Sequence, residues 1–232
     1  MVIVVVLTVI LGGFAIITGI FNPYSRLINL FTKIWTNTIL WGAGVKISVE
    51  GLENIDPDSS YVYMANHQSL FDILAVLKTL PLPVRFIAKK ELFSIPIFGW
   101  ALSAVGMIKI DRSNRQKAIV SMNKALQTIK GGVSIILFPE GTRSKDGLIH
   151  EFKKGGFVIA IKGGIPVVPV TIHGTHSILQ KHSLKLKPGH VAMRIDKPIT
   201  TDKQSYQTRE LLLNTVRSII CQTFDRLKNT KG

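Results

Sequence analysis

Two kinds of hydrophobic pattern divide this chain. Val2–Phe21 has no charged residue and is dominated by Val, Ile, Leu and Gly, whereas beyond residue 45 short apolar runs alternate with stretches whose apolar positions recur at helical spacing. As a helix, the first segment would be about 30 Å long, enough to cross a bilayer core. Residues 24–41 turn amphipathic: Leu27, Leu30, Phe31, Ile34, Trp35, Ile39 and Leu40 are set against Arg26, Lys33, Asn37 and Thr38. That pattern predicts a helix lying at a membrane interface, with Trp35 and Trp41 suited to headgroup depth. Gly12, Gly13 and Gly19 with Asn22-Pro23 would let the chain bend and return. The preferred reading is therefore a helical pair embedded in one leaflet; a true span and a hairpin packed onto the domain are the alternatives. The segment lacks a basic start and an Ala-x-Ala cleavage site, so it is expected to be retained.

The pattern changes at Gly42, where the chain loosens, and this places membrane-attachment helices in residues 1–44 and a folded domain in residues 45–232. Strands are predicted near 45–49, 61–65, 84–88, 107–110, 133–137, 165–172 and 191–195. Helices are predicted over 73–80 and 114–130, in a short stretch opening at Phe152-Lys153-Lys154-Gly155-Gly156, and around Leu212, Val216, Ile219 and Leu227. Such alternation predicts a single α/β domain with a mixed, mostly parallel sheet flanked by helices. Pro166 and Pro169 suggest that their strand lies at an edge or that they mark its start. The apolar piece Ser94-Ile95-Pro96-Ile97-Phe98-Gly99-Trp100 suits the wall of a hydrophobic pocket or a lipid contact better than a long helix.

Charge narrows the partners. Lysines and arginines outnumber acids 29 to 14, a net +15, which suggests an anionic partner: a phosphorylated substrate, an anionic membrane surface or nucleic acid. The basic residues are spread along the chain and no nucleic-acid recognition motif is present, so no nucleic-acid partner is expected. The single cysteine, Cys221, excludes an internal disulfide and points to a reducing compartment. A membrane location with the folded domain on the cytoplasmic face follows as the expectation.

Two stretches carry chemistry. In Asn66-His67-Gln68-Ser69-Leu70-Phe71-Asp72, a predicted strand passes into a predicted helix. On one helix His67 and Asp72 would stand roughly 140° apart, so His67 must lie in the turn. With Ser69 as N-cap, Asp72 falls in the first helical turn, where the chain can curl one ring nitrogen onto the carboxylate and leave the other to take a proton. Ser69-x-x-Asp72 is equally close to a capping box, and both readings stand on these residues alone. The second stretch, Phe138-Pro139-Glu140-Gly141-Thr142-Arg143-Ser144, follows a continuous apolar strand. Gly141 permits a tight path; Thr142, Arg143 and Ser144 offer donors for a phosphate, and Glu140 could accept a substrate hydroxyl. A Glu140–Arg143 pair at a polar turn is the plainer alternative. His173 and His176 lack an obvious third ligand nearby and are read as loop histidines, so no metal is expected.

Taken together, the chain resembles the glycerolipid acyltransferases, most closely the lysophosphatidate (1-acyl-sn-glycerol-3-phosphate) acyltransferases. The resemblance covers about residues 60–175. It rests on four ordered blocks: Asn66-His67 with Asp72; residues 106–112, ending Ile-Asp-Arg; residues 138–144, reading FPEGTRS; and residues 167–172, reading VVPVTI. It implies that His67 is the general base and Asp72 its partner. It also implies that Glu140, Gly141, Arg143 and Arg112 hold the acceptor's glycerol phosphate, and it matches Lys89 to a basic position before the second block. The implied reaction carries an acyl group from acyl-CoA or acyl-carrier protein to the sn-2 hydroxyl of a membrane lysophosphatidate, giving phosphatidate for phospholipid synthesis, with no cofactor. A related acyltransferase acting on another lysolipid or on glycerol-3-phosphate is the nearest alternative; a noncatalytic basic membrane-binding protein is the more distant one.

Overall fold

The computed structural model of the chain describes residues 2–81, 83–111, 114–201 and 208–229. Its centre is a seven-stranded sheet in the order β1-β7-β6-β2-β5-β3-β4. These strands are β1 (Val45–Glu50), β2 (Val62–Ala65), β3 (Val84–Lys89), β4 (Ile108–Ile110), β5 (Ser134–Leu137), β6 (Val167–His173) and β7 (Gly189–Ile195). β6, β2, β5, β3 and β4 run parallel; β7 pairs antiparallel with β6, and β1 runs parallel to β7. The carboxyl ends of the five parallel strands therefore emerge along one edge. Ligands of open α/β sheets bind along such an edge.

Alternation along β2 explains the layers. Tyr63 and Ala65 face a core with Leu40, Phe71, Leu74 and Ile178, while Val62 and Met64 face a second core with Ile129, Phe157, Val216 and Ile220. The first face is covered by α2 (Arg26–Gly42), α3 (Phe71–Thr79) and the short α7 (Thr175–Ile178); the second by α5 (Arg115–Lys130), α6 (Gly155–Gly163) and α8 (Thr208–Asn229). Strands buried on both faces read as unbroken apolar runs, which is why β2, β5 and β6 stood out in the sequence.

Pro166 directly precedes β6, as the strand-start reading of the prolines has it, while the edge reading is corrected, because β6 lies inside the sheet between β7 and β2. Pro169 is tolerated there because the β7 ladder covers only Val170 to His173, and the next bridge joins Val167 to Ile199. Its missing N–H falls in that gap, where its carbonyl accepts from Asp196 N at 3.0 Å.

At the amino end, α1 (Val2–Phe21) is one continuous helix, so the bend comes at Asn22-Pro23 and not at the glycines. Gly19 instead allows α1 to touch α4 (Phe98–Ala104), since a Cβ there would run into the Ala104 carbonyl. The hairpin packs onto the domain, α1 against α4 and α2 against α3. Trp35 is also corrected: it points inward and donates to Thr8 Oγ1 at 3.0 Å, whereas Trp41 stands exposed. Arg85, buried at the start of β3, donates to the Pro23 carbonyl at 2.8 Å with its guanidinium 5.4 Å from the centre of the Tyr24 ring. Burial draws its pKa down to about 10, partly opposed by Tyr24. Among the described residues no helix is long and apolar enough to cross a membrane.

Candidate active site

The strand-to-helix turn after β2 brings His67 and Asp72 together. His67 Nδ1 lies 2.8 Å from Asp72 Oδ2, and the same oxygen accepts from Gln68 N (2.7 Å) and Ser69 N (2.8 Å). Thr175 donates its hydroxyl to Asp72 Oδ1. With three other donors converging on it, the wholly buried carboxyl acts only as acceptor toward the imidazole, which places the ring hydrogen on Nδ1 and leaves Nε2 as the basic nitrogen. The cap differs from the expected one. Leu70 precedes the helix, while Ser69 Oγ accepts weakly from Phe71 N at 3.3 Å and donates to the Leu179 carbonyl at 2.7 Å. Asp72 reaches back to cap the amides of the turn itself, so the capping and His-holding readings are both realised by one side chain.

Phe138 fixes the other side of the imidazole. Its ring stacks on His67 with centroids 4.0 Å apart and planes 16° apart. Below it, Asn66 exchanges two 2.8 Å hydrogen bonds with the backbone of Ile172, locking the turn to β6.

The 138–144 turn lies across from this pair. Gly141, at φ 75°, closes it by donating to the Phe138 carbonyl. Glu140 is buried and accepts from His67 N at 2.7 Å and His150 N at 3.1 Å. Both of its oxygens thus brace backbone, and among the described residues no Glu140–Arg143 ion pair is formed. Burial raises its pKa, against the lowering effect of those two hydrogen bonds and of His67 and His150. Ser144 is buried: its hydroxyl donates to Asp146 Oδ1 (2.8 Å) and accepts from Gly147 N (3.0 Å), and its own amide donates to the His67 carbonyl (2.8 Å). Thr142 and Arg143 remain at the rim, where Lys181 Nζ donates to Thr142 Oγ1 (2.8 Å) and to the Arg143 carbonyl (3.0 Å). Lys89 is exposed at the end of β3, level with Ile110 of β4. Arg112 lies outside the described residues.

A wholly different surface opens two rings away from the imidazole. An apolar cavity of about 170 Å3 lies between the hairpin and the domain, with Leu11, Trp35, Leu77, Phe86 and Leu102 among its walls. Phe98 and Ala101 of α4 also line it, as expected of the segment around Phe98. Phe86 connects it to the site, its ring 6.2 Å from Phe138. Spacing within one motif revealed His67 and Asp72; Thr175, Lys181, Asn66 and Phe138 act across the fold, and only the neighbouring motif residues gave a signal for the last two.

The fold and this turn define a class of protein. A family profile described as Acyltransferase matches residues 46–173, and the chain belongs to that family. It is 39% identical over 209 residues to the chloroplastic 1-acyl-sn-glycerol-3-phosphate acyltransferase of Arabidopsis thaliana, covering 89% of this chain and 57% of that one. It is 33% identical over 189 residues to the enzyme of the same name from Borreliella burgdorferi, covering 82% and 76%. The chain thus spans less than two thirds of the plant relative's length. Among solved structures, it is similar to the 1-acyl-sn-glycerophosphate acyltransferase PlsC of Thermotoga maritima, with a TM-score of 0.83, 31% identity, and coverage of 97% of this chain and 91% of that one.

Proposed function

We propose that this chain transfers an acyl group from a thioester donor, acyl-CoA or acyl-carrier protein, to the sn-2 hydroxyl of 1-acyl-sn-glycerol-3-phosphate. The observation that carries the reading is the His67–Asp72 contact, with Nε2 left basic at the carboxyl edge of the sheet. His67 takes the hydroxyl proton as that oxygen attacks the acyl carbonyl; the tetrahedral adduct collapses, the C–S bond breaks, and the imidazolium returns the proton to the leaving thiolate. Asp72 fixes the tautomer and steadies the imidazolium. Arg143, together with Thr142, Lys89 and Arg112, supplies cationic and hydroxyl donors for the acceptor's phosphate. Glu140, Gly141 and Ser144 act through the backbone path that carries Arg143 past the His67 turn, where a bound phosphate would orient the acceptor hydroxyl and turn orientation into rate. The apolar cavity beside Phe86 suits the part of an acyl chain next to the reacting carbonyl.

Membrane attachment belongs to the same reading. The exposed Leu27, Leu30, Ile34 and Trp41 leave one stripe of α2 unburied while Ile28 and Leu40 face inward. This supports α2 lying in the interface of an anionic, cytoplasmic leaflet with α1 beside it.

A donor-by-acceptor matrix tests the assignment. Labelled acyl-CoA and acyl-carrier protein are offered with lysophosphatidate, glycerol-3-phosphate and lysolipids whose phosphate is capped. Preferred transfer to lysophosphatidate is expected. A preference for a capped lysolipid would move the assignment to another acceptor, and no transfer from either donor would remove it.

A further inference from the structure

The loop between α7 and β7 carries a pattern that the site does not use. Leu184, Lys185, Leu186 and Lys187 alternate apolar and basic, and all four stand exposed; Leu184 is 93% exposed. No aspartate or glutamate occurs between Glu151 and Asp196, so no acid along this part of the chain offsets the lysines. Leucines held out between lysines contribute nothing to either core, and their match is a surface with apolar depth and negative charge.

Contacts at the two ends fix where the loop stands. At its start, Lys181 holds Thr142 and the Arg143 carbonyl at the rim of the site. At its end, Pro188 lies against Gly44, and Gly189 N donates to the Gly44 carbonyl at 3.3 Å, just past α2. The loop therefore runs from the site rim to the end of α2 that carries Trp41, itself 83% exposed. Leu27, Ile34 and Trp41 recur every seven residues and so share one face of α2. That exposed stripe ends where the loop returns to the fold at Pro188.

We propose that residues 184–187 form a second lipid contact, in which Leu184 and Leu186 enter the interfacial layer and Lys185 and Lys187 pair with anionic headgroups. The inference rests on the reading of this chain as an enzyme working on a bilayer-borne acceptor. It deepens that reading: α2 grips the surface, the loop adjoining its end extends that grip, and Lys181 ties the loop to the 138–144 turn at the rim of the site. An acidic carrier protein would meet the same lysines, but continuity with the apolar stripe of α2 favours lipid.

The full-length protein is compared with K185Q/K187Q and L184D/L186D, substitutions outside the catalytic turn. Partition is measured on vesicles of phosphatidylcholine with and without phosphatidylglycerol, and acyl transfer on bilayer and on detergent-micelle acceptor. A lysine near an anionic surface strengthens partition about fivefold, so K185Q/K187Q should weaken binding to anionic vesicles by roughly twentyfold and leave neutral vesicles unaffected. L184D/L186D should weaken both. Both variants should lose transfer on bilayers and keep it in micelles, which also reports that they fold. Unchanged partition of both variants beside a wild type that binds would overturn the loop proposal alone. Loss of transfer from acyl-carrier protein, with vesicle binding and transfer from acyl-CoA retained, would make the loop a protein-docking surface and overturn the lipid assignment. A wild type that neither binds vesicles nor transfers acyl groups would sink the functional reading, and this proposal with it.

Discussion

Thr175 holds the oxygen of Asp72 that His67 does not use, in a place fully closed to solvent. A buried carboxylate left one donor short costs about 1–3 kcal/mol, and Asp72 can relieve that cost only by turning away from the imidazole. Thr175→Val keeps the side-chain volume and is expected to lower kcat about tenfold by that route, while Thr175→Ser, which keeps the hydroxyl, restores most of it. Equal activity of the Val and Ser variants would show that the hydroxyl does not position the pair. At this scale the sequence was legible where partners lie within one turn. Five residues separate His67 from Asp72, and the need for His67 to stand outside the helix followed from helical geometry. Thr175 comes 103 residues later, and nothing local marks it. Glu140 and Ser144 show the converse difficulty: residue type marks both as polar, but only the path of the backbone reveals that Glu140 holds the His67 and His150 amides and Ser144 holds Asp146 and Gly147.

Among the elements, the turn after Ser144 can be read through its charge. Asp146 accepts from Leu148 N (3.0 Å) and from the Ser144 hydroxyl, and these bonds, with the nearby His150, hold its pKa down to about 2 despite slight opposing desolvation. A carboxyl depressed in the fold contributes stability that is present above its unfolded value of 3.8 and lost as pH falls through about 2. The stability advantage of wild type over Asp146→Asn should therefore hold down to about pH 4 and fade toward pH 2 in a series of thermal melts. An advantage that fades near neutrality would contradict this. Strand and helix positions were readable because doubly buried strands are continuous apolar runs and because caps such as Asn114, which accepts from Gln116 N, announce themselves. The place of β6 in the sheet was not, since a proline excludes one hydrogen bond rather than a whole position, and the gap beside Pro169 is a property of β7.

Across the whole molecule, Arg85 fastens the helical hairpin to the sheet. It places a buried cation on the Pro23 carbonyl and against Tyr24. Arg85→Met should forfeit a charge-assisted bond worth about 1.5–3 kcal/mol and speed amide exchange around residues 22–25 by about tenfold or more, with β2 and β5 unaffected. Unchanged exchange at that turn would show that packing of α1 on α4 alone holds the hairpin. The sequence indicated two helices and their hydrophobic character, but it could not show that their apolar residues divide between a face on the domain and a face left open, because both faces look alike in composition. Hairpin, cavity and catalytic turn converge on one claim, that His67 deprotonates an acceptor hydroxyl beside a bound thioester. The most direct test is single-turnover transfer from acyl-CoA to lysophosphatidate in micelles by His67→Ala, at a temperature where its fold matches wild type. Loss of a general base should lower the rate about a hundredfold or more with acceptor binding preserved; a variant that turns over at nearly the wild-type rate would contradict the claim.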